Sequence, residues 1–372
     1  MSPAPADDSS VELLAVLRED IGRDGPMPVE RFMRLCLADP VHGYWARPGT
    51  IGAAGDFVTA PEISQVFGEL LGLWCAVVWQ GMGQPSPLRL VELGPGRGTL
   101  MRDALRAAER VPGFLYALSV HLVETSEPMR EKQRGLLPPP LTPPHKGEGD
   151  RPPIAWHPTV HEVPDGAAIV IANEFLDALP IRQLVFGEDG WRERMVELDA
   201  AGALRFAIGD KAAHARATPA SPVGAILELR AGEDEVLAEL GRRTGPCVAL
   251  FIDYGPAEPA YGDTLQAVRR HAYVDPLATP GAADLTAHVQ FAALADKARR
   301  AGLAADGPIT QAEFLGALGI AERTSRLMAA NPERAGAIET ATQRLVSPTG
   351  MGSLFKVLAV RSPHLPPPPP FG

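Results

Sequence analysis

Cysteine is scarce. Cys36, Cys75 and Cys247 are the only three, far apart, with no C-x-x-C pair and no zinc-type spacing. An odd number of dispersed thiols excludes a disulfide framework and fits a reducing compartment. His157 and His161 are four apart, but Pro158 breaks the helix that would pair them and no H-E-x-x-H exists, so no metal is expected. Basic runs are missing as well. Lys and Arg number 35 against 45 Asp and Glu among 372 residues, a net charge of −10, so the electrostatic footprint of a nucleic-acid binder is absent. The longest apolar run, LLGLWCAVVW at 70–79, falls well short of the ~20 residues of a membrane span. The opening MSPAPADDSS has neither the apolar region of a secretory signal nor the arginines of a transit peptide. The expectation is a cytoplasmic protein with no integral membrane segment.

Proline is abundant, 38 residues, but 13 of these lie in LLPPPLTPPHKGEGDRPP and the terminal SPHLPPPPPFG. Prolines set so densely favour extended, solvated chain, so 137–153 is read as a disordered insert and 362–372 as a solvated tail. What remains, 1–361, is expected to be a single domain. It has an N-terminal helical lid (9–80), a Rossmann-like core (88–360) and helical and hairpin additions (181–240 and 285–346). In the lid, Val11, Leu14, Leu17 and Ile21 are spaced for one helix face, and Phe32, Cys36 and Leu37 for another. In the core, short apolar runs at 88–93, 118–124, 167–175 and 247–255 alternate with helical patterns at 99–111 and 127–136. That is the signature of an α/β fold with a mostly parallel, doubly wound sheet. LFKVLAV at 354–360 reads as a late edge strand, and QLVF and WRERMVEL around GEDG as a β-hairpin.

The chemistry is concentrated where strands end. LVELGPGRGT at 90–99 is a strand-to-helix turn whose Gly94, Gly96 and Gly98 allow close backbone approach to a ligand. The spacing is Gly-x-Gly-x-Gly, not the Gly-x-Gly-x-x-Gly of dinucleotide binders. Glu92, two residues before the turn, would repel a pyrophosphate and suits a cationic ligand, or one with an amino group. Glu124 ends the second strand, where an acid binds ribose hydroxyls. Adenosine with a positive charge and no phosphate describes S-adenosylmethionine; a nicotinamide site or a turn with no ligand are the alternatives. Asn173, Glu174 and Asp177 follow the third buried strand and are candidates to face the transferred methyl or its acceptor; Asp177 capping a turn is the plainer reading. Asp56 and Thr59 in GDFVTAPE suit a lid over the cofactor, with Thr59 equally a helix cap beside Pro61. Trp156 is a candidate to stack on adenine, or a buried wall, and Trp156-His157 is placed in a loop. His288 is a candidate proton acceptor or a partly buried histidine.

Together these segments resemble one family, the S-adenosylmethionine-dependent methyltransferases that include the mitochondrial complex I assembly factor and its bacterial, MidA-like relatives. The resemblance rests on GYW at 43–45, GDFVTAPEISQVFGELLGLW at 55–74, LVELGPGRGTLMRDALR at 90–106 and ANEFLDALPIRQLVF at 172–186. It extends through FIDYG at 251–255, DLTAHVQFAALA at 284–295 and MGSLFKVLAV at 351–360. It implies a class I methyltransferase fold with cofactor binding by Gly94, Gly96, Gly98 and Glu124. It also implies an arginine of a protein, a respiratory complex I subunit in mitochondrial members, as acceptor. Gln290 departs from the acid or Asn usual in the family. A cofactor-binding assembly chaperone without catalysis and a small-molecule O- or N-methyltransferase stay open as alternatives.

Overall fold

Leu88, Leu90, Val91 and Leu93 leave apolar side chains on both faces of a short run, the pattern of a strand covered on both sides. Leu88–Leu93 is the first strand (β1) of a seven-stranded sheet. The computed structural model describes residues 8–47, 58–137, 152–211 and 221–372. The other strands of this sheet are Leu118–Val123 (β2), Ile154–His157 (β3), Ala168–Asn173 (β4), Cys247–Tyr254 (β5), Ala304–Thr310 (β6) and Phe355–Arg361 (β7). In space they run β3-β2-β1-β4-β5-β7-β6. β1 to β5 pair in parallel, and β7 runs antiparallel to both β5 and β6. The order reverses between β1 and β4. In a doubly wound sheet the ligand crevice opens there, beyond the carboxyl ends of the strands.

This sheet anchors one compact unit, Val58–Leu176, Glu235–Pro259 and Val289–Gly372. The apolar helix Gln65–Gly81 packs on Thr99–Ala108, and their approach is so close that a Cβ on Gly72 would lie 2.3 Å from the Ala104 carbonyl oxygen. Trp74, Phe67, Phe114, Phe314 and the inward side chains of β1, β4 and β5 fill the core. Two strand expectations need correction. β7 is internal rather than an edge strand, because 304–310 takes the edge as β6. Gly307-Pro308 disguises β6 in sequence, and a register shift between Asp306 and Ile309 accommodates the proline, which an edge strand tolerates. Trp156 and His157 stand in β3, not in a loop.

The terminal prolines are also not a solvated tail. The Trp74 indole N–H donates to the Pro369 carbonyl at 2.6 Å, and Phe371 packs against Phe314 with ring centroids 6.2 Å apart. A polyproline segment is already extended and leaves its carbonyls free to accept, so docking it on an aromatic surface costs little chain entropy. Of the proline-rich insert, 138–151 lies outside the described residues.

A second compact unit comprises Met1–Phe57, Asp177–Asp234 and Ala260–His288. Its hairpin, Arg182–Gly187 and Gly190–Leu198, is the one expected from QLVF and WRERMVEL, extended by Ile226–Leu229, Leu204–Lys211 and the short Met27–Pro28. Ala272–Val274, Gln266–Arg269 and Asp284–Thr286 make a three-stranded sheet. Helices Asp8–Asp24 and Val29–Ala38 complete a separate core with Leu13, Leu17, Phe32, Cys36, Ile181, Val196 and Leu285. Leu13 takes the place expected for Val11, which is 54% exposed. Where the sequence suggests a continuous helical lid over 9–80, its first two helices thus belong to the hairpin unit and Gln65–Gly81 to the sheet unit.

Candidate active site

The glycine turn follows β1 directly. Gly94, Gly96 and Gly98 have φ of 62°, 52° and 85°, left-handed values that glycine adopts without steric cost. The Gly94 N–H donates to the Val123 carbonyl at 3.0 Å, tying the turn to the end of β2. Gly98 is the N-cap of helix Thr99–Ala108, whose first-turn N–H groups have no partner within the helix. Beneath lies Glu92, 3% exposed, and its Oε2 has no hydrogen-bond partner among the described residues. Burial pushes this carboxyl up to about 8. A carboxyl kept dry and unpartnered is costly unless a ligand compensates it.

Glu124 follows β2. Its Oε1 accepts from the Ser126 N–H at 2.8 Å and its Oε2 from Gln133 Nε2 at 3.3 Å, while burial raises its pKa. Gln133 stands in no recognisable motif, yet it is fully buried and also reaches the Gly96 carbonyl and the Trp156 indole. A usable signal existed: helix Glu127–Leu136 turns Met129 and Gln133, four apart, inward, and an inward glutamine needs partners. Half-buried Trp156 on β3 has the Arg134 guanidinium 5.2 Å from its ring centroid.

At the end of β4, Asn173 is 8% exposed; its Nδ2 donates to Glu174 Oε1 at 3.3 Å and its Oδ1 has no partner among the described residues. Glu174 adopts φ 48°, sparsely populated for a non-glycine residue, and its Oε1 accepts from the Ala60 N–H at 2.9 Å. Thr59 occupies the N-cap position of the short helix Ala60–Ile63, but its side chain makes no cap bond. Asp56 lies outside the described residues. Asp177 and His288 belong to the hairpin unit, where the Asp177 carbonyl accepts from the N–H of Ala287, the neighbour of His288, at 3.0 Å. His288 is held through its backbone: its N–H donates to Thr264 Oγ1 at 2.9 Å and its carbonyl accepts from Arg230 at 2.8 Å. Burial lowers its imidazole pKa. The sheet unit therefore gathers Glu92, the three glycines, Glu124, Trp156, Asn173, Glu174 and Thr59, and the hairpin unit gathers Asp177 and His288.

The sheet-unit set fits an adenosyl sulfonium: bare glycine backbone, an uncompensated buried carboxyl, and a second acid at the ribose position of the fold. A family model for S-adenosyl-L-methionine-dependent methyltransferases matches residues 70–309. The chain belongs to this family. The methyltransferase is 36% identical over 366 residues to a Danio rerio protein named protein arginine methyltransferase NDUFAF7, mitochondrial, covering 94% of this chain and 86% of that one. The Homo sapiens protein of the same name is 34% identical over 386 residues, covering 97% and 85%. A Burkholderia thailandensis protein solved with S-adenosyl-homocysteine superposes with a TM-score of 0.83 at 29% identity, covering 97% of this chain and 95% of that one. Fold, cofactor and reaction class thus agree: the methyltransferase has the Rossmann-like class I architecture and depends on S-adenosylmethionine.

Proposed function

We propose that the methyltransferase methylates an arginine side chain of a protein. The observation that carries this reading is its 34–36% identity, over more than nine-tenths of the chain, to relatives named protein arginine methyltransferase. S-adenosylmethionine supplies an electrophilic methyl group on a sulfonium. The chain's own residues supply the rest. Gly94, Gly96 and Gly98 leave room for close approach, Glu92, giving up its proton as the ligand binds, offsets the ligand's positive charge, and Glu124 accepts from ribose hydroxyls. Trp156 walls the adenine, with Asn173 Oδ1 as a further acceptor and Thr59 beside the site.

A guanidinium, with pKa of about 12.5–13.8, arrives protonated and is a weak nucleophile. Glu174 holds it by a charge-assisted hydrogen bond that fixes the attacking nitrogen and concentrates electron density there. Alignment by such contacts is the main source of acceleration. On the family resemblance, we further assign the acceptor protein to respiratory complex I (NADH dehydrogenase) and the compartment to a bacterial cytoplasm.

Glu174→Gln tests the acceptor role. An amide oxygen still accepts from Ala60, so the local fold persists while the charge is gone. Methyl transfer is expected to fall by ~100-fold or more, the range of an acid–base or charge-holding residue. S-adenosyl-homocysteine affinity, measured by calorimetry, should stay within about twofold. Undiminished turnover would remove Glu174 from the acceptor site.

A further inference from the structure

We propose that Gln133 is a positioning residue that locks the glycine turn, Glu124 and Trp156 into one cofactor-binding arrangement; this rests on the reading that the cofactor lies against these three. Ser126 starts helix Glu127–Leu136 by accepting from the Met129 N–H at 3.4 Å, and two turns on the helix delivers Gln133 fully buried. Its Nε2 donates to the Gly96 carbonyl at 2.7 Å and to Glu124 Oε2 at 3.3 Å, and its Oε1 accepts from Trp156 Nε1 at 2.9 Å. The orientation of the amide is dictated by its partners. Turned over, its oxygen would face a carbonyl and a carboxylate, and its NH2 an indole N–H that can only donate. No other uncharged side chain of that length offers two donors and an acceptor from one planar group.

The three partners come from three separate stretches: the turn after β1, the end of β2 and edge strand β3. Strand pairing already aligns the backbones of β2 and β3, with Leu122 opposite Trp156 and the Glu124 N–H on the His157 carbonyl at 2.9 Å; the Gln133 amide is what joins the Glu124 and Trp156 side chains to each other and to the glycine turn. The stem of Gln133 adds a wall, since a Cβ on Gly98 would lie 3.5 Å from its Cγ. The same helix fixes the outer side, where Arg130 donates to the Glu124 carbonyl at 2.7 Å and Arg134 covers the Trp156 ring. With Oε1 held by Ser126 and Oε2 by Gln133, the Glu124 carboxylate is set before a ligand arrives. Pre-setting a polar group lowers the cost of binding.

The experiment is a double-mutant cycle on S-adenosyl-homocysteine affinity, measured by calorimetry with the full-length protein. Gln133→Met keeps the volume and removes donors and acceptor, and is expected to weaken binding about tenfold or more. Glu124→Ala should weaken it at least as much. Because Gln133 acts through Glu124 and Trp156, Gln133→Met should add less than threefold in a Glu124→Ala, Trp156→Phe background. Fully additive losses would show a merely space-filling role and overturn the proposal, as would wild-type affinity in Gln133→Met. Gln133→Glu, the same shape with its donors gone, is the second variant should Gln133→Met fail to fold; it must also lose at least tenfold, and wild-type affinity there overturns the proposal. If Glu124→Ala itself binds like the wild type, the placement of the cofactor is wrong, an outcome distinct from failure at Gln133 alone.

Discussion

Glu92 sits beneath the glycine turn with its carboxyl pushed up to about 8 by burial, whereas in an unfolded chain it titrates near 4.5. The native state therefore keeps a proton that the unfolded state releases between these values. Stability is greatest below about 4.5 and is lost as pH rises through about 8, by an amount on the order of a few kcal/mol. Glu92→Gln removes this dependence. Its thermal midpoint without ligand should exceed that of the wild type, by more at pH 8 than at pH 5, while its affinity for S-adenosylmethionine falls more than that for S-adenosyl-homocysteine, which lacks the sulfonium charge. Stability sacrificed to hold a binding group is a common feature of functional sites. Melting curves of the two proteins that stay parallel across pH would contradict this account of Glu92. Glu174 is the backbone counterpart: a left-handed glutamate at the end of β4, of the kind that persists at functional sites where surrounding structure imposes it.

At the scale of elements, β3 joins the sheet through a histidine pair. His121 Nδ1 lies 2.9 Å from His157 Nε2, and His121 Nε2 lies 3.0 Å from Ser119 Oγ. One hydrogen serves the His–His contact, so the pair is built for neutral rings. Burial, then the His157 charge and the Arg89 and Arg243 guanidiniums, hold His121 down at about 4. The unfolded chain takes up that proton near 6.5, the native state only near 4. Stability is complete above 6.5 and is lost as pH falls toward 4. Denaturant melts of wild type and His121→Asn at pH 7 and 4.5 should show the smaller acid loss in the variant; equal losses would contradict it. These elements also show what sequence can and cannot reveal. β1, β2, β4 and β5 were legible because unbroken apolar runs end in glycine, acid or amide. β6 was hidden by Gly307-Pro308 and β3 by its shortness after a proline-rich stretch. The candidate site was legible wherever a residue stood at a strand end. Gln133 was not, because its importance comes from partners on three other elements, which local pattern does not record.

For the whole molecule, the chain weaves between two compact units, each assembled from three segments. Non-local assembly of this kind leaves no mark in composition or periodicity, and the sequence reads instead as one domain with additions. The chemistry follows the weave. The glycine turn and its acids lie in the sheet unit, and the chain passes from Glu174 into the hairpin unit at Asp177, which a later segment joins through Ala287 and His288. Protein arginine methylation by this arrangement is tested by adding the purified methyltransferase and S-adenosylmethionine carrying a tritiated methyl group to a lysate lacking it, then identifying the labelled molecule and residue. Label on an arginine of a discrete protein, lost with Glu174→Gln, is the predicted result; label only on a small molecule or another residue type, or none although S-adenosyl-homocysteine binds, would contradict it.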